Sequence, residues 1–350
     1  MVAMESQKTV PDFEARLAAW DAIGAYWRAQ AAADPLWRAA CEAAVAAQTF
    51  FTADNIAYAT AAWAEALRAD NLRAWWTAET GAETRLRPGT VAVIMAGNLP
   101  WVGLHDVLSV SLSGCRLLLK PSAKDRPLWE FWSRKLWPYP ESVTLVPDMA
   151  GLAFDAVIAT GSDNSYRYFD YSFRGKPALL RHHRTSCAVL TGGEDDARLA
   201  GLWEDMLRYY GLGCRNVSKL FVPRRFDWER FMDVGRRGGW MRLLDNEAYA
   251  HNYRRRKALL DMQGWPYRDG GAVLFEEGAG APGIGSVSYA VYDDAAQAAA
   301  WMAAAGPEAW QCIVGEGDGL VPFGRAQRPT LTDYADGVSI PAFLKENFAI

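Results

Sequence analysis

The sequence has few cysteines, and none of them stand in pairs. Five occur among 350 residues, scattered as Cys41, Cys115, Cys187, Cys214 and Cys312. This spacing is unlike that of a disulfide framework or a zinc site, so we expect no disulfides and no metal site. Scattered, unpaired cysteines are typical of a reducing compartment.

Long apolar runs and an excess of positive charge are also missing. No run reaches the roughly 18 apolar residues of a membrane span, so we expect no stable membrane insertion. The first residues lack a basic segment followed by an apolar core, so we expect no signal peptide and a cytoplasmic location. A formal net charge of −4 and a pI of about 5.7 argue against a nucleic-acid partner.

Glycine is absent from most of the N-terminal region, which is rich in helix-forming residues. No glycine occurs between Gly24 and Gly81, and apolar residues recur at helical spacing, as at Trp20, Ile23 and Trp27. We predict three or four helices. They would cover the sheet that follows or line a channel for an apolar substrate, and the first interpretation is favoured.

Short apolar runs then alternate with helical segments. The predicted strands are Thr90–Met95, Leu117–Lys120, Val143–Val146 and Asp155–Ala159. This alternation indicates a doubly wound parallel sheet. Ligands bind at the carboxyl ends of strands in such sheets, and the loops with Asn98, Lys120 and Gly161-Ser162 lie there. A second set of strands follows at Ser186–Leu190, Leu220–Val222, Ala272–Phe275, Ser286–Ala290 and Gln311–Val314, with a helix over 294–305.

Cys214 stands in a glycine-loosened segment, Gly211-Leu-Gly-Cys-Arg-Asn-Val-Ser218. The two glycines permit a sharp bend, while Arg215 and Lys219 would favour a thiolate. On these local features a reactive cysteine and a buried structural one are about equally supported. The cysteines at 115, 187 and 312 lie in or beside apolar runs and are predicted to be buried and inert. The histidines at 105, 182 and 183 have no partner motif and are interpreted as structural.

Four motifs, in this order, resemble those of the aldehyde dehydrogenase superfamily. Gly97-Asn-Leu-Pro100 is similar to its Asn-Phe-Pro loop, and Leu119-Lys-Pro-Ser122 to its Lys-Pro motif. Thr160-Gly-Ser162 is similar to its Gly-Ser motif, and the Cys214 segment to its nucleophile segment. Within the superfamily the sequence most resembles the LuxC-type acyl-CoA reductases, which are fatty-acid reductases, over about residues 85–344.

The resemblance implies an α/β fold of the aldehyde dehydrogenase type. It divides the chain into N-terminal helices (1–84), a Rossmann-like nicotinamide cofactor domain (85–186), a catalytic domain with the nucleophilic cysteine (187–334) and a C-terminal segment (335–350). A homo-oligomer is also consistent with it.

The implied enzyme is an oxidoreductase that reduces an acyl thioester, such as fatty acyl-CoA, to the aldehyde with NADPH. Cys214 would form the acyl-enzyme, and Asn98 would stabilise the oxyanion. Lys120, Ser122, Gly161 and Ser162 would bind the cofactor. The alternatives are an NAD(P)-dependent aldehyde dehydrogenase that forms acid, and a non-catalytic acyl-carrying subunit of a larger complex.

Two departures from the superfamily pattern bear on the activity. Leu190-Thr-Gly-Gly193 is interpreted as the segment that begins, in aldehyde oxidisers, with a water-activating glutamate. Leu190 cannot act as a base, although Glu194 lies close enough in sequence to substitute. Ala123, followed by Lys124, stands where NAD-preferring relatives often carry an acidic residue, which favours NADPH.

Overall fold

The computed structural model describes residues 11–82, 85–161, 163–181, 183–278, 283–306 and 308–350. Its first part is a layer of four helices, as the glycine-poor sequence predicts: α1 (Phe13–Ala29), α2 (Pro35–Ala47), α3 (Ala53–Ala66) and α4 (Ala69–Thr80). Side chains of Asp12, Asp34 and Thr52 accept backbone N–H bonds at the starts of α1, α2 and α3. These caps satisfy donors that the first helical turn leaves unpaired.

The first sheet has five parallel strands: β1 (Thr90–Ile94), β2 (Arg116–Lys120), β3 (Val143–Leu145), β4 (Ala156–Thr160) and β5 (Ala178–Arg181). Their order is β3-β2-β1-β4-β5, so the chain changes direction across the sheet between β1 and β4. Connecting helices are α5 (Leu104–Ser113), α6 (Arg126–Phe131) and α7 (Asp163–Ser172). The doubly wound parallel sheet predicted from the apolar runs is confirmed.

The second sheet comprises β6 (Thr185–Val189), β7 (Val217–Pro223), β8 (Tyr267–Asp269), β9 (Leu274–Glu277), β10 (Ser286–Tyr292) and β11 (Trp310–Val314). Its order is β11-β6-β7-β10-β9-β8, and only the β8–β9 pair is antiparallel. Its helices are α8 (Asp196–Leu207), α9 (Trp228–Arg237), α10 (Glu247–Gln263) and α11 (Ala295–Ala304). The C-terminal α12 (Ile340–Phe348) returns to pack against α4 and α5.

The aromatic residues form much of the core beneath the N-terminal helices. Trp20 stacks on Trp132 at 5.6 Å, and Trp37 stacks on Trp101 at 6.1 Å between ring centroids. The Trp101 indole donates to the Thr60 hydroxyl of α3 at 3.0 Å. Because Trp101 lies in the loop after β1, this packing fixes α3 over the edge of the first sheet.

Candidate active site

Cys214 lines a cavity of about 200 Å³ whose wall is mostly apolar. The helix α3 contributes an alanine-rich face, and the loop after β1 and the segment 326–340 supply most of the remainder. The α3 residues are Ala59, Ala62, Trp63 and Ala66. The N-terminal helices therefore cover the sheet, which is the favoured prediction, and α3 also lines the cavity that contains Cys214.

The backbone before Cys214 bends through three successive left-handed residues. Tyr209, Tyr210 and Gly211 have φ values of 57°, 60° and 73°. Such angles are unusual for tyrosine and cost free energy, so the surrounding contacts must hold them in place. Gly213 does not have a positive φ. A Cβ at Gly213 would lie 3.0 Å from both the Leu99 side chain and Asn216 Oδ1. Gly213 therefore allows the Cys214 loop to pack closely against these two side chains.

The side chain of Asn216 holds this loop in shape. Its Oδ1 accepts from Gly213 N at 2.8 Å, and its Nδ2 donates to the carbonyls of Asp205, Met206 and Arg208 at the end of α8. On the other side, the Ser186 hydroxyl of β6 donates to the Cys214 carbonyl at 2.8 Å. The candidate nucleophile is thereby tied to both α8 and the second sheet.

Burial raises the pKa of the Cys214 thiol above its ordinary value, and the nearby Arg215 opposes this shift. Asp336 raises the pKa further, while Arg181 lowers it. The ammonium group of Lys219 donates to the Gly278 carbonyl, and the cations that lower the pKa of Cys214 are Arg215 and Arg181. The thiolate would therefore depend on Arg215 and Arg181.

Asn98 lies against the Cys214 loop, as the motif comparison predicts. Its Nδ2 donates to the Leu212 carbonyl at 2.9 Å, two residues before Cys214. Its Oδ1 is buried and has no hydrogen-bond partner among the described residues. Asn98 supports the Cys214 loop through this bond, although it is not among the residues that line the Cys214 cavity.

The candidate cofactor residues lie at the carboxyl ends of the first-sheet strands. Lys120 ends β2, Ser122 follows it, and Gly161 follows β4; Ser162 lies outside the described residues. A Cβ at Gly97 would lie 2.2 Å from Ser122 Oγ, so only glycine allows the loops after β1 and β2 to approach so closely. Among the residues that the structure describes, Lys120 forms no ion pair. In open α/β sheets, ligands bind at this edge.

The sequence analysis missed a buried ion pair in the wall of the Cys214 cavity. Arg181 is the last residue of β5, and its Nη1 donates to Asp106 Oδ1 and Oδ2 at 2.8 and 3.0 Å. Both residues line the cavity, and so does Thr160. The strand itself was overlooked because Ala178-Leu-Leu-Arg181 is short. Its signal was an apolar pair after Pro177, with an arginine at the strand end.

The interpretation of Leu190 as the residue in the position of the base is not supported. Leu190 is fully buried in the core of the second sheet, where its N–H donates to the Phe221 carbonyl. Glu194 accepts from Thr191 N at 2.5 Å and from Gly192 N at 3.0 Å, so it caps its own turn. Neither residue lines the Cys214 cavity. The wall of the Cys214 cavity contains Arg181, and an arginine cannot act as a base.

Some of the other residues interpreted as structural can be located, whereas His182 lies outside the described residues. Cys115, Cys187 and Cys312 are buried, as predicted. His105 lines the Cys214 cavity, but its Nε2 lies 2.9 Å from the Leu331 carbonyl and burial lowers its pKa. No cluster of metal-ligating side chains occurs within the described ranges, and none of the described helices is long and apolar enough to cross a bilayer.

Neither a protein family nor a curated protein matches the sequence. Solved structures match the fold. An NAD-dependent aldehyde dehydrogenase from Sinorhizobium meliloti has a TM-score of 0.63 and 15% identity, with 91% of this chain and 73% of that chain covered. The NAD⁺ complex of an aldehyde dehydrogenase from Bacillus cereus has a TM-score of 0.62 and 13% identity, with coverages of 89% and 74%.

Proline utilization A from Corynebacterium freiburgense also matches, with a TM-score of 0.65 and 13% identity. The matched region includes 97% of this chain but only 41% of the Corynebacterium chain. At such low identities the likeness concerns the fold alone. The chain has the α/β fold of the aldehyde dehydrogenases, which confirms the fold class inferred from the four motifs.

Proposed function

We propose that this protein is an oxidoreductase of the aldehyde dehydrogenase type that reduces an acyl thioester to the aldehyde with NADPH. The observation that carries the proposal is the position of Cys214 in an apolar cavity that also contains Thr160 and Arg181, the last residues of β4 and β5, while Asn98 binds the Cys214 loop at Leu212. The alanine-rich face of α3 suits the alkyl chain of a fatty acyl group. We infer that acyl-CoA is the donor, in line with the resemblance to LuxC-type reductases.

The reaction begins at the sulfur of Cys214. Its thiolate attacks the thioester carbonyl, because the thiol itself is a poor nucleophile. The resulting oxyanion would accept from the Cys214 backbone N–H and from the free N–H of Asn98. A donor of this kind is worth about 2.7–4 kcal/mol of transition-state stabilisation. The carrier thiol then leaves, and the acyl group stays on the cysteine.

A bound nicotinamide cofactor would supply a hydride to the carbonyl carbon of this acyl-cysteine, and loss of the Cys214 thiolate would then release the aldehyde. Lys120 would bind the cofactor ribose, while Ser122, Gly161 and Ser162 would lie along its phosphates. At that edge, a helix N-terminus and open backbone N–H groups favour an anion. Ala123 and Lys124 are both exposed and leave room and positive charge for a 2′-phosphate. These features support NADPH over NADH.

The charged residues of the cavity support reduction over hydrolysis. The two carboxylates in its described wall are Asp106 and Asp333. Asp106 is bound by Arg181, and Asp333 accepts from the Thr330 N–H and hydroxyl at 2.7 Å each. Both carboxylates thus already accept hydrogen bonds from the protein, and the proposal assigns neither of them to the activation of water. The acyl-enzyme would therefore persist until hydride or a returning thiol reaches it.

Acyl transfer and reduction are tested separately. Incubation with labelled acyl-CoA and no cofactor should leave the label on Cys214, as found by peptide mass analysis, and Cys214→Ala should lose it. NADPH should then release aldehyde. Rapid acid formation from aldehyde and NAD⁺ without CoA would favour an aldehyde dehydrogenase, the activity named for the structural neighbours. Acylation without any turnover would favour an acyl-carrying subunit.

A further inference from the structure

The guanidinium of Arg181 is rigidly held but only partly paired. Its side chain is 6% exposed and that of Asp106 is 4% exposed, so the pair is almost closed to solvent. Its hydrogen bonds to described residues all leave from Nη1, which contacts both Asp106 oxygens and, at 3.4 Å, the Thr160 hydroxyl. Asp106 balances the charge of Arg181 but accepts hydrogen bonds from only one guanidinium nitrogen, Nη1.

The other edge of the guanidinium has no acceptor. Nε and Nη2 are both buried and lack a hydrogen-bond partner within the part of the chain that the structure describes. Unpaired buried donors cost free energy, and a charged group costs more than a neutral one. These two nitrogens carry parallel N–H groups, the arrangement that binds two oxygens of one carboxylate. Arg181 is therefore prepared for a ligand that this wall does not supply.

The position of Arg181 indicates where such a ligand would lie. Arg181 and Cys214 belong to the wall of one cavity, and the charge of Arg181 acts on the Cys214 thiol. Arg215, in the same wall, reaches the nearest Asp333 oxygen only at 3.8 Å. Arg215 Nε also donates to the Ala326 carbonyl at 2.6 Å, so neither arginine is bound at both edges by a carboxylate, whereas the α3 residues of the wall are apolar.

We propose that Arg181 binds a carboxylate that the acyl substrate carries near its reacting carbonyl. The preferred substrate class is then the monothioester of a dicarboxylic acid, which forms a semialdehyde, and alkyl acyl thioesters without the second carboxylate react more slowly. This inference rests on the proposed acyl transfer to Cys214. The reacting carbonyl has its own donors in the Cys214 N–H and Asn98, so the Arg181 edge is left for a second group.

The first test uses two small alkylating reagents and needs neither cofactor nor acyl thioester. Iodoacetate and iodoacetamide both form a carbon–sulfur bond at a thiolate and release iodide, but only iodoacetate carries a carboxylate. Rates at Cys214 are followed by peptide mass. The ratio of the iodoacetate rate to the iodoacetamide rate should exceed that of free cysteine in the same buffer. Arg181→Lys, which keeps the charge but loses the paired donors, should lower the ratio about tenfold.

Arg184→Lys is the matched control. Arg184 is also a buried arginine paired with an aspartate, at 3.1 Å from Asp336, but it does not line the Cys214 cavity. Its variant should leave the ratio unchanged. A wild-type ratio equal to that of free cysteine would overturn the proposal. Equal slowing of both reagents in Arg181→Lys would also overturn it, because Arg181 would then act on the thiolate alone.

The second test uses thioesters of matched length. Malonyl-, succinyl- and glutaryl-CoA are compared with propionyl-, butyryl- and pentanoyl-CoA for acylation of Cys214 without cofactor. At least one of the diacid thioesters should acylate Cys214 about tenfold faster than the alkyl thioester of matched length. Arg181→Lys should remove this preference. Faster acylation by every alkyl partner would refute the inference while leaving the reductase proposal intact. If Arg181→Lys fails to fold, the double variant Arg181→Leu/Asp106→Leu removes both buried charges and should show the same loss.

Discussion

The alanines of α3 predict how the enzyme should respond to acyl chain length. Ala62 lines the Cys214 cavity, and its neighbour Ala61 is exposed on the other side of the helix. Ala62→Leu adds a branched apolar side chain to the cavity, whereas Ala61→Leu adds the same side chain to the surface. The two variants have the same composition and nearly the same helix propensity, so they differ only in which face is enlarged.

The expected magnitude follows from the burial of methylene groups. Each buried CH₂ contributes about 0.8 kcal/mol, which is about fourfold in kcat/KM. In the wild type, kcat/KM should rise by about this factor per added methylene until the cavity is filled. Leucine has about three more carbon atoms than alanine. In Ala62→Leu the rise should stop about three methylenes earlier, so the longest accommodated chain should lose roughly 50-fold in kcat/KM.

The assay is NADPH oxidation over a series of even-numbered acyl-CoAs from four to fourteen carbons. Thermal unfolding of each variant checks that the fold is retained. The same chain-length profile in Ala62→Leu and the wild type would show that the acyl chain does not run along α3. A shift of equal size in Ala61→Leu would show that the effect comes from the helix as a whole.

Three further predictions concern other parts of the site and the fold. Asn98→Ala should lower kcat about 10²–10³-fold, because an oxyanion donor is lost. The lost bond to Leu212 should also lower the free energy of unfolding by about 0.5–1.5 kcal/mol. Unchanged kcat together with lower stability would mean that Asn98 has only a structural role. Ala123→Glu should move the preference from NADPH towards NADH, as judged by kcat/KM for the two cofactors, because a carboxylate repels the 2′-phosphate; an unchanged ratio would place the specificity residue elsewhere. Burial raises the pKa of Asp125 to about 7, above its unfolded value of about 3.8, so its protonated form stabilises the fold fully below pH 4 and that contribution is lost as the pH rises through 7. Urea unfolding of Asp125→Asn should lack this fall, and an identical pH profile in both proteins would contradict the pKa assignment.

Much of the first sheet could be predicted because parallel strands are buried on both faces. Runs such as Val91–Ile94 and Leu117–Leu119 are continuously apolar, and a glycine or proline stands close to each end. The observed β1, β2 and β4 begin and end within one residue of these predictions. The strand β5 was missed because it has four residues and ends in arginine, which is typical of a loop when only the local sequence is considered.

The chemistry of the cavity could be predicted only where a residue type is informative by itself. A cysteine between glycine and arginine, or an asparagine after a buried strand, suggests a role from its neighbours in sequence. Arg181 and Asp106 are 75 residues apart, and their pairing exists only after β5 has aligned beside β4. The interpretation of Leu190 as the residue in the position of the base fails for the same reason. The distance between Leu190 and Cys214 depends on which sheet contains β6, and the local sequence does not show this.

The Cys214 loop shows why the two kinds of information must be combined. The sequence assigns its bend to glycine, but the structure places two tyrosines in left-handed conformations ahead of Gly211. That conformation is unfavourable for tyrosine, and Asn216 maintains the segment through bonds to three carbonyls of the preceding turn. The loop is therefore held by contacts outside its own local preferences. The proposed nucleophile requires such a fixed position, because the acyl group that it would hold must meet a hydride donor and small displacements of reacting atoms cost large factors in rate.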